Sequence, residues 1–105
     1  MNTANKVYTV EELKEKLAPI FLDAPVYKAT LFGSYAKGEA DSDSDVDIVI
    51  DSKGHLINIH FFGIIADVED ALGKTVDLLE ISQIKPNSEI LHAIRNEGIV
   101  LYERQ

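Results

Sequence analysis

Asp45-Val46-Asp47-Ile48-Val49-Ile50 alternates carboxylate with aliphatic side chains and then runs on apolar. No other stretch constrains the fold as strongly. In an extended chain residues i and i+2 share a face, so Asp45 and Asp47 stand side by side while Val46, Ile48 and Ile50 turn into packing. Their Cβ atoms lie roughly 6–7 Å apart. Two carboxylates so placed raise each other's pKa unless a cation intervenes, and unpaired charge in an apolar strand is costly. Asp41 and Asp43 continue the spacing upstream but precede the strand, and read as solvated loop with Ser42 and Ser44 as turn formers. Asp51 reads as the cap that ends the strand.

The flanking sequence supplies the layers such a strand needs. Thr9-Val10-Glu11-Glu12 has capping-box spacing, and Leu13, Leu17, Ile20 and Phe21 recur at helical period, predicting a helix from about Val10 to Leu22 closed off by Pro25. Val26 to Phe32 predicts a strand, and Gly33 interrupts it. Ser34 to Lys37 forms a short helical turn ended by Gly38. After the Asp45–Ile50 strand, the spacing of Leu56, Ile59, Phe62, Ile65, Val68 and Leu72 predicts a long helix stopped by Gly73. Thr75 to Ile81 reads as a buried strand. A last helix starts near Pro86, carries Ile90, Leu91 and Ile94, and stops with Gly98 at its C′ position; a short extended tail, Ile99 to Tyr102, follows. The order αβαβαβα implies a small, mixed β-sheet flanked by helices, an α/β (α+β) fold. At 105 residues the chain is expected to be one domain.

A third carboxylate, Asp77, is embedded in Thr75-Val76-Asp77-Leu78-Leu79-Glu80. It reaches the same cavity as Asp45 and Asp47 if strands two and three are neighbours. Glu80 is the rival third ligand but falls on the opposite face of a regular strand. Three strand carboxylates are what a two-metal phosphoryl-transfer site requires. Gly33 tolerates a tight turn or a close approach, and the Ser34 hydroxyl with the free N–H groups of the following turn makes an anion site for outer phosphates. Alone, Gly-Ser is an ordinary turn; the nearby carboxylates give it weight. Lys37, one turn on, either lends charge to phosphates or is a solvated surface lysine.

The formal net charge of −8 argues against a broad electrostatic grip on nucleic acid. Any bound polyphosphate must bring its own cations. Cysteine is absent, which removes disulfides and thiolate metal sites. The chain begins without an apolar signal core and lacks an apolar run of the roughly 20 residues a membrane span requires, so a cytoplasmic location is expected.

Leu31-Phe32-Gly33-Ser34, ten intervening residues and Asp45-Val46-Asp47-Ile48 together resemble the nucleotidyltransferase signature of the DNA polymerase β superfamily. The match is closest to the minimal nucleotidyltransferases (MNT), partners of HEPN-type helical proteins in prokaryotic toxin–antitoxin pairs. GSYAKGEADSDSDVDIVI is similar to that family's GSxARG…SDxDLxV segment, TVDLLE to its third-carboxylate strand, and EILHAIRNEGIVLYE to its C-terminal helix and tail. The resemblance implies a polymerase-β-like fold and a site with two Mg²⁺ ions that transfers AMP from ATP to a hydroxyl, releasing pyrophosphate. It implies that Gly33 and Ser34 hold the β- and γ-phosphates and that Asp45 and Asp47 ligate both metals. Asp77 would ligate the catalytic metal and help take the acceptor's proton. The family's usual Arg after Ala is Lys37 here, which keeps the charge but loses the bidentate fork.

The acceptor implied is a hydroxyl, a tyrosine in particular, of a HEPN-type toxin, with the chain acting as antitoxin. Two alternatives stand beside it: a non-catalytic module that neutralises its partner by contact, and a small-molecule transferase of the aminoglycoside-modifying kind. The chain has no room for the helical domain that larger nucleotidyltransferases add, so a homo- or hetero-oligomer would complete the cleft. The long helix carries apolar residues beyond one stripe, among them Ile57, Phe61, Ile64 and Ala66, and part of it reads as interface. Phe61 and Phe62 are expected in the core, Tyr35 on the surface, and His55, His60 and His92 in packing or surface roles, since none has metal-type spacing.

Overall fold

The computed structural model describes residues 6–55 and 59–104. Four helices and four strands alternate: α1 (Val10–Asp23), β1 (Lys28–Phe32), α2 (Gly33–Lys37), β2 (Val46–Asp51), α3 (Ile59–Leu72), β3 (Val76–Glu80), α4 (Glu89–Glu97) and β4 (Ile99–Glu103), with a 3₁₀ turn over Ile81–Gln83. The strands form one sheet in the order β3-β2-β1-β4. β1 pairs antiparallel with both β2 and β4, whereas β2 and β3 are parallel, joined across α3. The sheet is therefore mixed, as the element order implies, and the extended tail is its fourth strand. No helix among the described residues is long and apolar enough to cross a membrane.

Local chemistry accounts for the element boundaries. Thr9 caps α1 as a full capping box with Glu12. Leu13, Leu17 and Phe21 are buried on one stripe of α1. The last turn of α1 holds no basic residue, and Arg104 supplies one from the far end of the chain: its guanidinium donates to the carbonyls of Phe21, Leu22 and Ala24. Ser88 caps α4, two residues beyond Pro86, so the proline lies in the connection and not in the helix. Gly98 follows α4 with an extended backbone, φ −66°. Glycine is needed there for space, because a Cβ would strike the Ile94 carbonyl and sit 2.7 Å from Thr30 Cγ2.

The sheet has two unlike faces. Ala29, Leu31, Val46, Ile48, Ile50, Val76, Leu78 and Leu101 join Leu13, Leu17, Phe21, Val68 and Leu72 of α1 and α3 in the main core. On the other face a smaller cluster of Phe32, Val49 and Ile94, with Leu79 and Ile84, packs under α4. That second face also carries Asp47 and Asp77, at the end α4 leaves uncovered.

Three expectations about packing are corrected. Tyr35 is 6% exposed and belongs to the main core. The short α2 turns back over the sheet and seats its third residue there. Its phenol is buried without a hydrogen-bond partner among the described residues. Phe62 is 68% exposed and Ile59 76%, because α3 is rotated so that Phe61, Ile64, Ile65, Val68 and Leu72 form the inward stripe. Leu56 and Ile57 lie outside the described residues. His55, His60 and His92 are all exposed.

Candidate functional site

β1 ends at Phe32, and the antiparallel register sets Phe32 opposite Asp47. The next residue, Gly33, has φ +72°, a conformation that costs an L side chain roughly 1–2 kcal/mol. A Cβ at Gly33 would collide with Asp47 Oδ2 and stand 3.0 Å from its Cγ. The Gly-Ser turn and the strand carboxylate are thus in direct apposition; the positive φ calls for glycine, and an added methyl would also push the Asp47 carboxylate aside. Ser34 lies in the first turn of α2. Phe32, at the N-cap, offers no side-chain acceptor, which leaves the first-turn amides without a side-chain cap. Gly38 ends α2 in the left-handed conformation, its N–H donating to the carbonyls of Ser34 and Tyr35.

Asp47 and Asp77 are register partners across the parallel β2–β3 pair, so both carboxylates rise from the second face at the same level. Asp45 falls one residue before β2 and is exposed, not inside the strand, and Asp77 is exposed as well. Of the three, only Asp47 is half-buried, because the covering layer stops short of this end of the sheet. Burial, then the charge of Asp77, then that of Asp45 push the Asp47 carboxyl up to about 6 from an ordinary 3.8. Three carboxylates thus act on one locus with no cationic partner for Asp47 among the described residues.

The surrounding acidic residues take other roles. Asp41 accepts from the Asp43 N–H and the Ser44 hydroxyl, and its own N–H donates to Ser44 Oγ, closing a turn. Asp43 is exposed, and Asp51 ends β2 by accepting from the Lys53 N–H at 2.9 Å. Glu80, the rival ligand, is 1% exposed on the main-core face. It accepts from the N–H and hydroxyl of Ser52 and from the Ser82 N–H. Burial alone would raise its pKa, but the hydrogen bonds from Ser52 and Ser82 outweigh that and hold it below 4.5. Glu80 is a structural staple between β2 and β3, a role its position in a strand of leucines does not announce. Lys37 is held 3.6 Å from Glu97 of α4 in an exposed pair, which is weak and easily exchanged.

The donor set fits a hard divalent cation. Carboxylate oxygens are what Mg²⁺ takes, with one or two carboxylates completed by substrate phosphates. A cation bound here would offset the burial and like charge that push the Asp47 carboxyl up. Among the described residues no three His, Cys, Asp or Glu side chains stand close enough together to hold a metal ion by themselves, so Asp45, Asp47 and Asp77 do not form a preformed cage.

A profile of the nucleotidyltransferase domain matches residues 10–101. The chain belongs to the nucleotidyltransferase domain family. Two curated relatives agree with this membership. MJ0435 of Methanocaldococcus jannaschii, whose name as a protein adenylyltransferase is provisional, is 35% identical over 77 residues, covering 73% of this chain and 83% of its own length. The protein adenylyltransferase MntA of Thermococcus cleftensis is 36% identical over 75 residues, covering 71% of this chain and 69% of its own. Among solved structures, a toxin–antitoxin complex with AMP-PNP contains a similar chain, with TM-score 0.73 and 26% identity over 88% of this chain and 74% of that one. This nucleotidyltransferase accordingly has the fold that its sequence motifs imply, and its enzyme class is transfer of a nucleotidyl group.

Proposed function

We propose that this nucleotidyltransferase is an antitoxin that transfers AMP from ATP to a hydroxyl, a tyrosine in particular, of a HEPN-type partner toxin. The single observation that carries the reading is the apposition of Gly33 to Asp47 with Asp77 in register beside it. That arrangement supports reading the Gly-Ser turn as a phosphate cradle set against the carboxylates. The adenylyltransferase relatives and the toxin–antitoxin neighbour with AMP-PNP support AMP as the transferred group and a protein as its acceptor.

In this reading Gly33 and Ser34 receive the β- and γ-phosphates, and Lys37 joins them by leaving Glu97. Asp45, Asp47 and Asp77 would hold two Mg²⁺ ions, whose charge neutralises the phosphates and activates the acceptor oxygen. The acceptor oxygen bonds to the α-phosphorus, the bond from that phosphorus to the β-phosphate oxygen breaks, and pyrophosphate departs. Asp77 takes the hydroxyl proton. The site stands open in this fold, and a partner chain completes it in the cytoplasm. Ile59 and Phe62, exposed on α3, suit such contact.

Purified protein with Mg²⁺, labelled ATP and the cognate partner is expected to label that partner on a hydroxyl. An Asp45→Asn/Asp47→Asn double variant is expected to abolish labelling. Toxin neutralisation that survives the double change would favour neutralisation by contact alone.

A further inference from the structure

The turn that carries Asp45 is tied to the strand that carries Asp77 at two points. The Val46 N–H donates to the Thr75 carbonyl at 3.2 Å, and Lys74 Nζ donates to the Ser42 carbonyl at 3.0 Å. Asp45 lies between Ser42 and Val46, and Asp77 lies three residues after Lys74. Lys74 is only 9% exposed, although lysine heads ordinarily remain in water. The turn itself is closed by Asp41 and Ser44, whose bonds among the described residues stay within residues 41–44 and do not fix it to the sheet. The other end of β3 entry is anchored separately, Glu69 accepting from the Val76 N–H at 3.0 Å.

We propose that Lys74 is a positioning residue for metal and nucleotide binding: its buried ammonium clamps the Ser42 carbonyl and so holds Asp45 against Asp47 and Asp77. A charged donor to a carbonyl makes a stronger bond than a neutral one. Its positive charge also lies beside the turn that carries Asp41, Asp43 and Asp45, where it lowers the cost of gathering carboxylates before any cation arrives. Removing the clamp frees the turn to swing about Val46, taking Asp45 away from the site while β2 and β3 remain paired. The inference rests on the reading of the three aspartates as a metal site, but the clamp has a consequence in the metal-free protein too.

The test compares the wild-type chain with Lys74→Met, Lys74→Gln and Lys74→Arg. Amide hydrogen exchange is measured without metal, and Mn²⁺ binding with and without a non-hydrolysable ATP analogue. Lys74→Met is expected to speed exchange at Asp43–Val46 at least tenfold with β1 unchanged, and to weaken Mn²⁺ binding about tenfold. Arginine is expected to restore both, and glutamine, an uncharged donor, to fall between. Unchanged exchange at Asp43–Val46 in the Met and Gln variants would overturn the clamp. Wild-type protein that binds no Mn²⁺ would instead overturn the metal-site reading, whatever the exchange shows. If Lys74→Met does not fold, Lys74→Gln carries the same two measurements, and equal Mn²⁺ affinity in that variant and the wild type would refute the proposal.

Discussion

The parallel pairing of β2 and β3 has a carboxylate of opposite fate at each end. At one end Glu80, partnered in register with Ile50, is fully enclosed and receives donors from Ser52 and Ser82. At the other end Asp47, partnered with Asp77, is half-enclosed and meets only like charge from its acidic neighbours. The more deeply buried group is held below its ordinary pKa, and the less buried one is driven above it. Burial does not decide whether a carboxylate is structural or functional. Its donors separate the two: Glu80 is satisfied by the fold, whereas Asp47 has no donor among the described residues, as the proposed ligand role requires.

Breaking the functional end should have the largest effect. Asp47→Asn is expected to lower transfer to the partner at least about 100-fold, equivalent to roughly 3 kcal/mol of transition-state stabilisation. Without metal at pH 7 the same variant should melt higher than the wild type, on the order of 1 kcal/mol after discounting for solvent screening, because it removes repelled charge. A calorimetric scan beside the transfer assay separates the two effects, and a variant that lost both activity and stability would contradict the comparison. Gly33→Ala should come next. It strains a backbone at φ +72° and drives a methyl into the Asp47 carboxylate, so transfer is expected to fall at least about tenfold, with stability reduced by roughly 1–2 kcal/mol.

The structural end should respond in the opposite pattern. Glu80→Gln puts an amide N–H₂ at one of the two oxygens, facing either the Ser52 or the Ser82 donors, and is expected to destabilise by about 1–3 kcal/mol in urea unfolding. Transfer per folded molecule should remain close to wild type. If it fell as far as in Asp47→Asn, the division between the two ends would not hold.

The pH dependence is the smallest effect and the two ends contribute opposite signs. Glu80 has a lowered folded pKa, so its stabilisation is present above 4.5 and is lost as pH falls through the folded value. Asp47 has a raised folded pKa, so between 3.8 and about 6 the folded state binds the extra proton and stability declines as pH rises through that window. In metal-free protein the Asp47 contribution should therefore fall by on the order of 1 kcal/mol between pH 4 and pH 6, after the same discount for screening, read as the difference between wild type and Asp47→Asn. Saturating Mg²⁺ should remove the decline. Melting temperatures across that range, in chelator and in Mg²⁺, would show it.

Most of this was legible in the residues because alternation writes itself into sequence. The run from Val46 to Ile50 declares a strand with Asp47 on its polar face, although Asp45, read as its first residue, falls just before it. Thr75 to Ile81 reads as a buried strand, and Asp77 proves exposed; Gly33 before Ser34 declares the turn. The capping box of α1 and the short α2 ended by Gly38 were equally plain. The rest depended on three-dimensional neighbours. Only the sheet order puts Asp77 beside Asp47, and only the reach of α4 leaves that end of the second face open. Phe61 and Phe62 are chemically alike, and the rotation of α3 against α1 and the sheet decides which is inward. Tyr35 follows Ser34 in a turn that looks exposed until α2 folds back on the core. Glu80 and Lys74 are ordinary in sequence because their partners, Ser52 and Ser42, lie 28 and 32 positions away.

The central claim is that Asp47 is a carboxylate kept from ionising normally until a cation joins Asp45 and Asp77. The most direct measurement is a ¹³C NMR titration of the Asp47 side-chain carboxyl, with and without Mg²⁺. The account predicts a midpoint near 6 in the metal-free protein, moved to 3.8 or below by Mg²⁺. A midpoint near 3.8 in both conditions, or one that stays near 6 when Mg²⁺ is saturating, would contradict it.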